Sequence, residues 1–213
     1  MSEEKISDNA AIDAALRLDG DPQNVRQYYD EWARSYDRDV GASEYSAPRI
    51  AARLLQQHLP GPDCRVLDAG CGTGLVGVEL RAQGYGPIDG FDLSPEMAEK
   101  SIATGAYRDV AGDIDMMSAP RDYPGSNYDA VLSVGVFTLG HVPPQALGVL
   151  LGLLHAGGIL LVSTRSHYYD RTDFQHEVDQ LLAAGEMSQL QVVRDAPYNH
   201  DGQAHYWVFR KSG

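Results

Sequence analysis

The stretch Val66-Leu67-Asp68-Ala69-Gly70-Cys71-Gly72-Thr73-Gly74 decides the reading of this chain. A short β-branched and apolar run, Arg65 to Leu67, feeds a turn with glycine at 70, 72 and 74, and a helix follows to Gln83. Glycines allow positive φ and let a ligand approach the backbone closely. Outward from this turn, strand and helix alternate. Ile88 to Leu93 predicts a second strand, and Ser94-Pro95-Glu96 opens the next helix. Tyr107 to Ala111 and the strongly apolar Tyr128 to Val134 predict two more strands. Pro143-Pro144 opens a helix ending at Gly157-Gly158, Ile159 to Ser163 forms a fifth strand, and a helix spans Thr172 to Ala184. Such alternation implies an α/β fold with a mainly parallel sheet. The last two strand-like runs, Leu190 to Arg194 and His205 to Arg210, have only a polar turn between them, Asn199 to Gly202, so they predict an antiparallel hairpin.

Upstream, residues 1–20 read as a leader with one weak helical patch, Ala10 to Leu18. Asp21-Pro22 reads as an N-cap with proline at the first helical position, opening a helix that carries Val25, Tyr28, Tyr29, Trp32 and Tyr36. Another helix starts near Ser46 and ends before Pro60-Gly61. The organisation predicted is one domain, with a helical cap or lid over residues 1–60 and the α/β unit over 61–213.

The ligand of the glycine turn follows from charge. Ligands of open parallel sheets bind at the carboxyl ends of the strands. Gly72, Gly74 and Gly77 satisfy GxGxxG, the dinucleotide pattern, but Asp68 at the strand end would repel a diphosphate. S-adenosylmethionine carries an ammonium and a sulfonium and no phosphate, so an acid there suits it; the alternative is a carboxylate capping its own turn. Asp92, 20 residues after Gly72, stands where a carboxylate would hold both ribose hydroxyls, or cap the next helix, a task better suited to Ser94. Leu93 and Met97 could line the adenine, or Met97 could be core. Asp113 could accept a hydrogen bond from the adenine amino group with Ile114 against the ring, Asp115 being the competing position. Cys71, between glycines, reads as a small residue of the cofactor loop rather than a nucleophile.

Composition bounds the function. The 213 residues suffice for one full-sized domain. A net charge of −13, from 17 basic and 30 acidic residues with no basic cluster, argues against a nucleic-acid partner. No run approaches the roughly 18 apolar residues of a membrane span, and MSEEKISDNA does not read as a secretory signal. Two cysteines, Cys64 and Cys71, rule out a disulfide framework and suit a reducing, cytoplasmic setting. A monomer or homodimer is expected. His200, Asp201 and His205 flank a hairpin turn without a further ligand pattern, so no metal is expected.

At this point the chain resembles the class I methyltransferases. VLDAGCGTG resembles their first motif, GFDLSPEM their second-strand acidic motif, AGDI the third, and YDAVLSVG the fourth, which adds Val134 and Gly135 to the cofactor side. YYDEWARSYD, LDAGCGTGLVG, IDGFDLSPEM and TLGHVPP are similar to the methyltransferase-like proteins of the Williams–Beuren syndrome region. The resemblance implies a Rossmann-like seven-stranded sheet with the antiparallel C-terminal hairpin, helices on both faces, S-adenosylmethionine as cofactor, and an N-terminal helical segment covering it. Tyr28, Trp32 and Tyr36, spaced by four, would form an aromatic face of that lid or simply pack on the sheet.

Methyl transfer is an in-line displacement in which the protein mainly aligns the partners. A base is needed only for an acceptor protonated near neutrality. His141, in TLGHVPP after the fourth strand, is the candidate base, or else a structural residue of its turn. Tyr45, Arg165, His167 and Tyr168 are candidates for the acceptor pocket, and Arg165 could bind a carboxylate. The function expected is O- or N-methylation of a small molecule. A nicotinamide-dependent oxidoreductase and a non-catalytic cofactor-binding protein are the alternatives.

Overall fold

Val66–Ala69 forms β1, buried along its whole length between Ile88–Phe91 (β2) and Tyr128–Phe137 (β4). The computed structural model describes residues 9–59, 61, 63–119, 127–200 and 202–213; residues 1–8 of the leader, Pro60 and Asp201 lie outside them. Asp109–Ala111 (β3), Leu154–Arg165 (β5), Met187–Asn199 (β6) and Gly202–Lys211 (β7) complete the sheet. Among the described residues its order is β3-β2-β1-β4-β5-β7-β6, with β7 antiparallel to both neighbours and the first five strands parallel. The chain order reverses between β1 and β4. Such a switch point opens a crevice above the carboxyl ends of the strands.

Helices with described bounds are Ala10–Ala15 (α1), Pro22–Trp32 (α2), Tyr36–Ala42 (α3), Ala47–His58 (α4), Leu75–Ala82 (α5), Pro95–Ala103 (α6), Ala146–Leu153 (α7), Ser166–Arg171 (α8) and Phe174–Ala183 (α9). Strand alternation splits the core in two. On one face Val66, Leu132, Ile159 and Leu161 pack with Leu55 of α4 and Val76 and Leu80 of α5. On the other Leu67, Val131, Leu160 and Val162 pack with Leu147 and Leu150 of α7 and Phe174 and Val178 of α9. The seven strands, hairpin and two-sided helices agree with the expectation.

The helix starts follow their capping residues. Asp21 accepts from the amides of Gln23 and Asn24 at 2.9 and 3.3 Å, and Ser94 Oγ accepts from Met97 N at 3.1 Å. Several boundaries differ from the expectation, β6 running over Met187–Asn199 rather than Leu190 to Arg194 among them. The helix after Pro143-Pro144 stops at Leu153 rather than Gly157, because Leu154 pairs with Tyr128 and extends β5 backwards across a register shift. A short helix, α8, follows β5 where none was anticipated. Finally, the aromatic helix breaks after Trp32, and Tyr36 begins α3 on a turn where Ser35 Oγ and Trp32 Nε1 both donate to Asp39 Oδ2 at 2.8 and 2.9 Å.

Candidate active site

Two adjoining cavities open at the carboxyl end of the sheet. The larger, about 840 Å³ with its open mouth, is walled by Gly70 and Gly72, by Asp92, Leu93 and Met97, by Ile114 and Asp115, and by Val134 and Gly135. The smaller, about 450 Å³ with its open mouth, lies beneath the N-terminal helices. Tyr29, Tyr36, Gly135 and His141 line both.

The glycine turn is built as its sequence requires. Gly70, Gly72 and Gly74 have φ of 77°, 55° and 93°, conformations that favour glycine. A Cβ on Gly70 would lie 2.5 Å from Val136 Cγ2, whereas one on Gly72 would meet open space. Gly77, the last glycine of the GxGxxG match, serves packing: its amide donates to Tyr107 Oη at 3.0 Å, and a Cβ there would stand 2.3 Å from the Tyr107 ring.

Asp92 stands in the cleft wall. Oδ2 accepts from Gly72 N at 2.8 Å and Oδ1 from Ser94 N at 2.8 Å, leaving each oxygen a further lone pair. Burial raises its pKa to about 6 despite these amides, and the Asp30 carboxylate adds to the rise. A group that donates to this carboxylate would favour its charged form.

Asp68 departs from its expected role. It does not line the cleft. On β1 it shares its face with Val66 and turns toward the helices on that side, where it is fully buried. Tyr107 Oη donates to Oδ2 at 2.6 Å, while Oδ1 is buried with no partner among the described residues. Burial pushes its pKa up to about 7, the Tyr107 hydrogen bond opposing and Asp92 adding to the shift. Cys71 likewise points away from the cleft, buried against the Ser101 hydroxyl at 3.3 Å, and burial raises its thiol pKa well above the usual range. Asp113 is exposed on the rim in an ion pair with Arg26, and Asp115, the competing position, takes the place on the cleft wall.

The cap presents a different aromatic face from the one expected. Tyr28 does not line either cavity, and its hydroxyl donates to Ala11 O at 2.5 Å. Trp32 lines only the smaller one. The cleft is instead walled by Tyr36 and by Tyr29, which the sequence reading placed on this helix without a role. Because the helix breaks between Trp32 and Tyr36, helical spacing could not have selected Tyr29 and Tyr36 together. The cap is held at loop after loop of the sheet's carboxyl end. Thr73 donates to Asp37 at 2.5 Å, Ser94 to Asp30 at 2.5 Å, Arg26 pairs with Asp113, and Tyr29 meets His141 Nε2 at 2.8 Å.

The tautomer of His141 follows from its partners. Its Nδ1 lies 2.9 Å from Leu139 O, which can only accept, so Nδ1 carries the proton and Nε2 accepts from Tyr29. Burial lowers its pKa to about 4, so the ring is neutral at physiological pH.

Of the four acceptor-pocket candidates, Tyr45 and Arg165 line the smaller cavity. His167 and Tyr168 do not. Successive residues of α8 point about 100° apart, so His167 faces solvent while Tyr168 is 2% exposed and donates to Val142 O at 2.9 Å. Thr138, Tyr198 and Asn199, which sequence reasoning missed, also line this cavity, together with apolar residues of α1 and α3; Tyr198 and Asn199 come from the end of β6. Among the described residues no group of three His, Cys, Asp or Glu is placed to hold a metal, and no helix is long and apolar enough to cross a membrane.

This arrangement matches known proteins. A profile of the methyltransferase domain family fits residues 32–212. Methyltransferase-like protein 27 of Homo sapiens is 41% identical over 163 residues, covering 74% of this chain and 66% of that protein. This agrees with the resemblance to the Williams–Beuren region proteins. The 18S rRNA (guanine(1575)-N(7))-methyltransferase of Saccharomyces cerevisiae is 27% identical over 174 residues, covering 76% of this chain and 59% of that protein. The matches therefore span about three fifths to two thirds of these relatives. Magnesium protoporphyrin IX methyltransferase from Synechocystis PCC 6803, solved with bound SAM, shares the fold at a TM-score of 0.66 and 19% identity, covering 90% of this chain and 97% of that one. With most of its length inside the family profile, the chain belongs to the methyltransferase domain family, whose methyl donor is S-adenosylmethionine.

Proposed function

We propose that the chain methylates a small-molecule acceptor at oxygen or nitrogen, with S-adenosylmethionine in the larger cavity and the acceptor in the smaller. The observation that carries this reading is the shared wall: Gly135, His141, Tyr29 and Tyr36 line both spaces, so a donor in one and an acceptor in the other meet at these residues. The larger cleft suits the cofactor. Gly72 leaves room for a ligand against the backbone, Asp92 keeps lone pairs for two hydroxyl donors, and Leu93, Met97 and Ile114 offer apolar contact to a flat ring. Asp115, rather than Asp113, is the carboxylate available for an amino group there. When bound, the sulfonium supplies an activated methyl carbon, and the protein's task is alignment.

Helices α1 to α3 act as the cap, while α4, inside the expected span of 1–60, packs Leu54 and Leu55 against the sheet and belongs to the α/β unit. The cap's side-chain ties to Thr73, Ser94, Asp113 and His141 hold it across the carboxyl ends of the strands, over both cavities. His141 keeps Nε2 unprotonated at the junction, and a reacting acceptor that displaces Tyr29 would find a proton acceptor there. With a pKa of about 4 it is a weak base, useful only for a proton that becomes acidic as the new bond to carbon forms. The neutral-pH charge of −13 favours a small molecule over RNA, although one relative is an rRNA methyltransferase. Both cysteines are free, consistent with a reducing, cytoplasmic setting.

Calorimetric titration with S-adenosylhomocysteine and with NAD tests the cofactor, with binding expected for the first alone. A transfer assay with labelled donor, run against small hydroxyl and amine acceptors, ribosomal RNA and ribosomal protein, tests the acceptor. Label appearing only in RNA or protein would overturn the small-molecule reading.

A further inference from the structure

The smaller cavity holds a charge without a counter-charge. Arg165, the last residue of β5, is 5% exposed. Its guanidinium carbon stands 4.5 Å from the centre of the Tyr198 ring, a cation–π arrangement, and its Nη2 lies 2.8 Å from where a Cβ on Gly202 would be. Among the described residues no carboxylate forms an ion pair with it, and no Asp or Glu lines the cavity, in a chain that carries 30 acidic residues. Arginines this deeply buried are normally paired, because an unpaired buried charge is costly. Two further polar atoms in the same cavity, Thr138 Oγ1 and Asn199 Oδ1, are buried without a hydrogen-bond partner; Thr138 is 5% and Asn199 9% exposed. A cavity that gathers a lone guanidinium and two unsatisfied polar side chains is incomplete without a ligand.

We infer that the acceptor is a small carboxylic acid, its carboxylate held by Arg165 and its body lying along the touching Tyr45 and Tyr198 rings toward Tyr36 and His141. The guanidinium presents a planar fork that matches a carboxylate in two-point fashion. Thr138 stands one residue past the end of β4 and Asn199 at the end of β6, so the site is assembled from three strand ends and recognises the acid through shape as well as charge. The carboxylate anchors the acceptor rather than receiving the methyl group, which leaves its far end to reach the shared wall at Gly135 and His141. This inference rests on the proposed small-molecule reading and names the chemical class that reading leaves open.

The test uses the whole chain saturated with S-adenosylhomocysteine and follows binding by calorimetry. The probes are three matched pairs, propionate and propionamide, 4-hydroxybenzoate and 4-hydroxybenzamide, indole-3-acetate and indole-3-acetamide, with inorganic phosphate alongside. In at least one pair the acid should bind ten-fold or more tightly than its amide. Arg165→Met should erase that preference, Arg165→Lys should keep part of it, and both variants should retain affinity for S-adenosylhomocysteine, which reports that they fold. Equal binding of acid and amide, or a preference that survives in Arg165→Met, overturns the inference while leaving the small-molecule reading standing. Phosphate binding as tightly as the best acid overturns the carboxylate assignment. Failure of every organic probe to bind overturns the carboxylic-acid inference, while the small-molecule reading is decided by the labelled-donor transfer assay.

Discussion

Replacing Asp68 by asparagine isolates the consequence of burying a carboxylate at the end of β1. Its pKa is raised from the usual 3.8 to about 7 by burial. A raised folded-state pKa gives stability that is fully present below the unfolded value and is lost as pH rises through the folded value. Between these limits the unfolded chain ionises alone, and each pH unit removes about 1.36 kcal/mol of stability. From pH 5 to pH 7 that is two units, and nothing further is lost above 7, so Asp68 costs the native state about 2.5 kcal/mol between pH 5 and pH 8. The asparagine side chain does not titrate. It can still accept the Tyr107 hydrogen bond through its carbonyl, but its amide would occupy the position of the unpartnered Oδ1, with a penalty of about 1–3 kcal/mol that does not vary with pH. Titrating groups that do not interact with Asp68, His141 among them, cancel in the comparison. The measurement is urea unfolding of the cofactor-free wild type and Asp68→Asn at pH 5 and pH 8. The variant should gain about 2.5 kcal/mol relative to the wild type over that interval, whichever protein is the more stable at pH 5. A stability difference that is the same at both pH values would refute the reasoning, because it would mean the carboxyl ionises as it does in water.

Asp92→Ala should weaken binding of S-adenosylhomocysteine by about 1.5–3 kcal/mol, the scale of hydrogen bonds to a charged group; unchanged affinity by calorimetry would remove Asp92 from the ribose. Because its pKa is about 6 in the free protein and hydroxyl donors favour the charged form, wild-type affinity should fall as pH drops from 7 to 5, and Asp92→Ala should lose that dependence. His141→Gln should lower methyl-transfer turnover by about 10²-fold or more, the lower end for general acid–base catalysis, with little effect on S-adenosylhomocysteine affinity; full turnover across the pH range would assign His141 a purely structural part. Gly77→Ala should destabilise the fold by about 1–3 kcal/mol in thermal or urea unfolding, since its Cβ would stand 2.3 Å from the buried Tyr107 ring; wild-type stability would show that Tyr107 shifts freely.

The features legible in the residues alone are local ones. The alternation of apolar runs and capped helices specified the α/β order and the terminal hairpin, the three glycines specified a left-handed turn after β1, and the 20-residue step from Gly72 placed Asp92 at the end of β2 and in the cleft. Each of these depends on backbone conformations and spacings within one or two elements, which residue type reports directly. Other points required knowing the neighbours and emerged with the packed chain. Helices covering both faces of β1 turned Asp68, a strand residue, into the core and left the cleft to Asp92 and Asp115. Docking of the cap chose Tyr29 over Tyr28, because the hydroxyl that reaches His141 belongs to a residue 112 positions away in sequence. The cavity around Arg165 joins the ends of β4, β5 and β6, and no periodicity within a segment encodes such a meeting. Burial and long-range pairing settle these points, since the free energy of a side chain on a strand or helix depends on what packs against it rather than on its place along the chain.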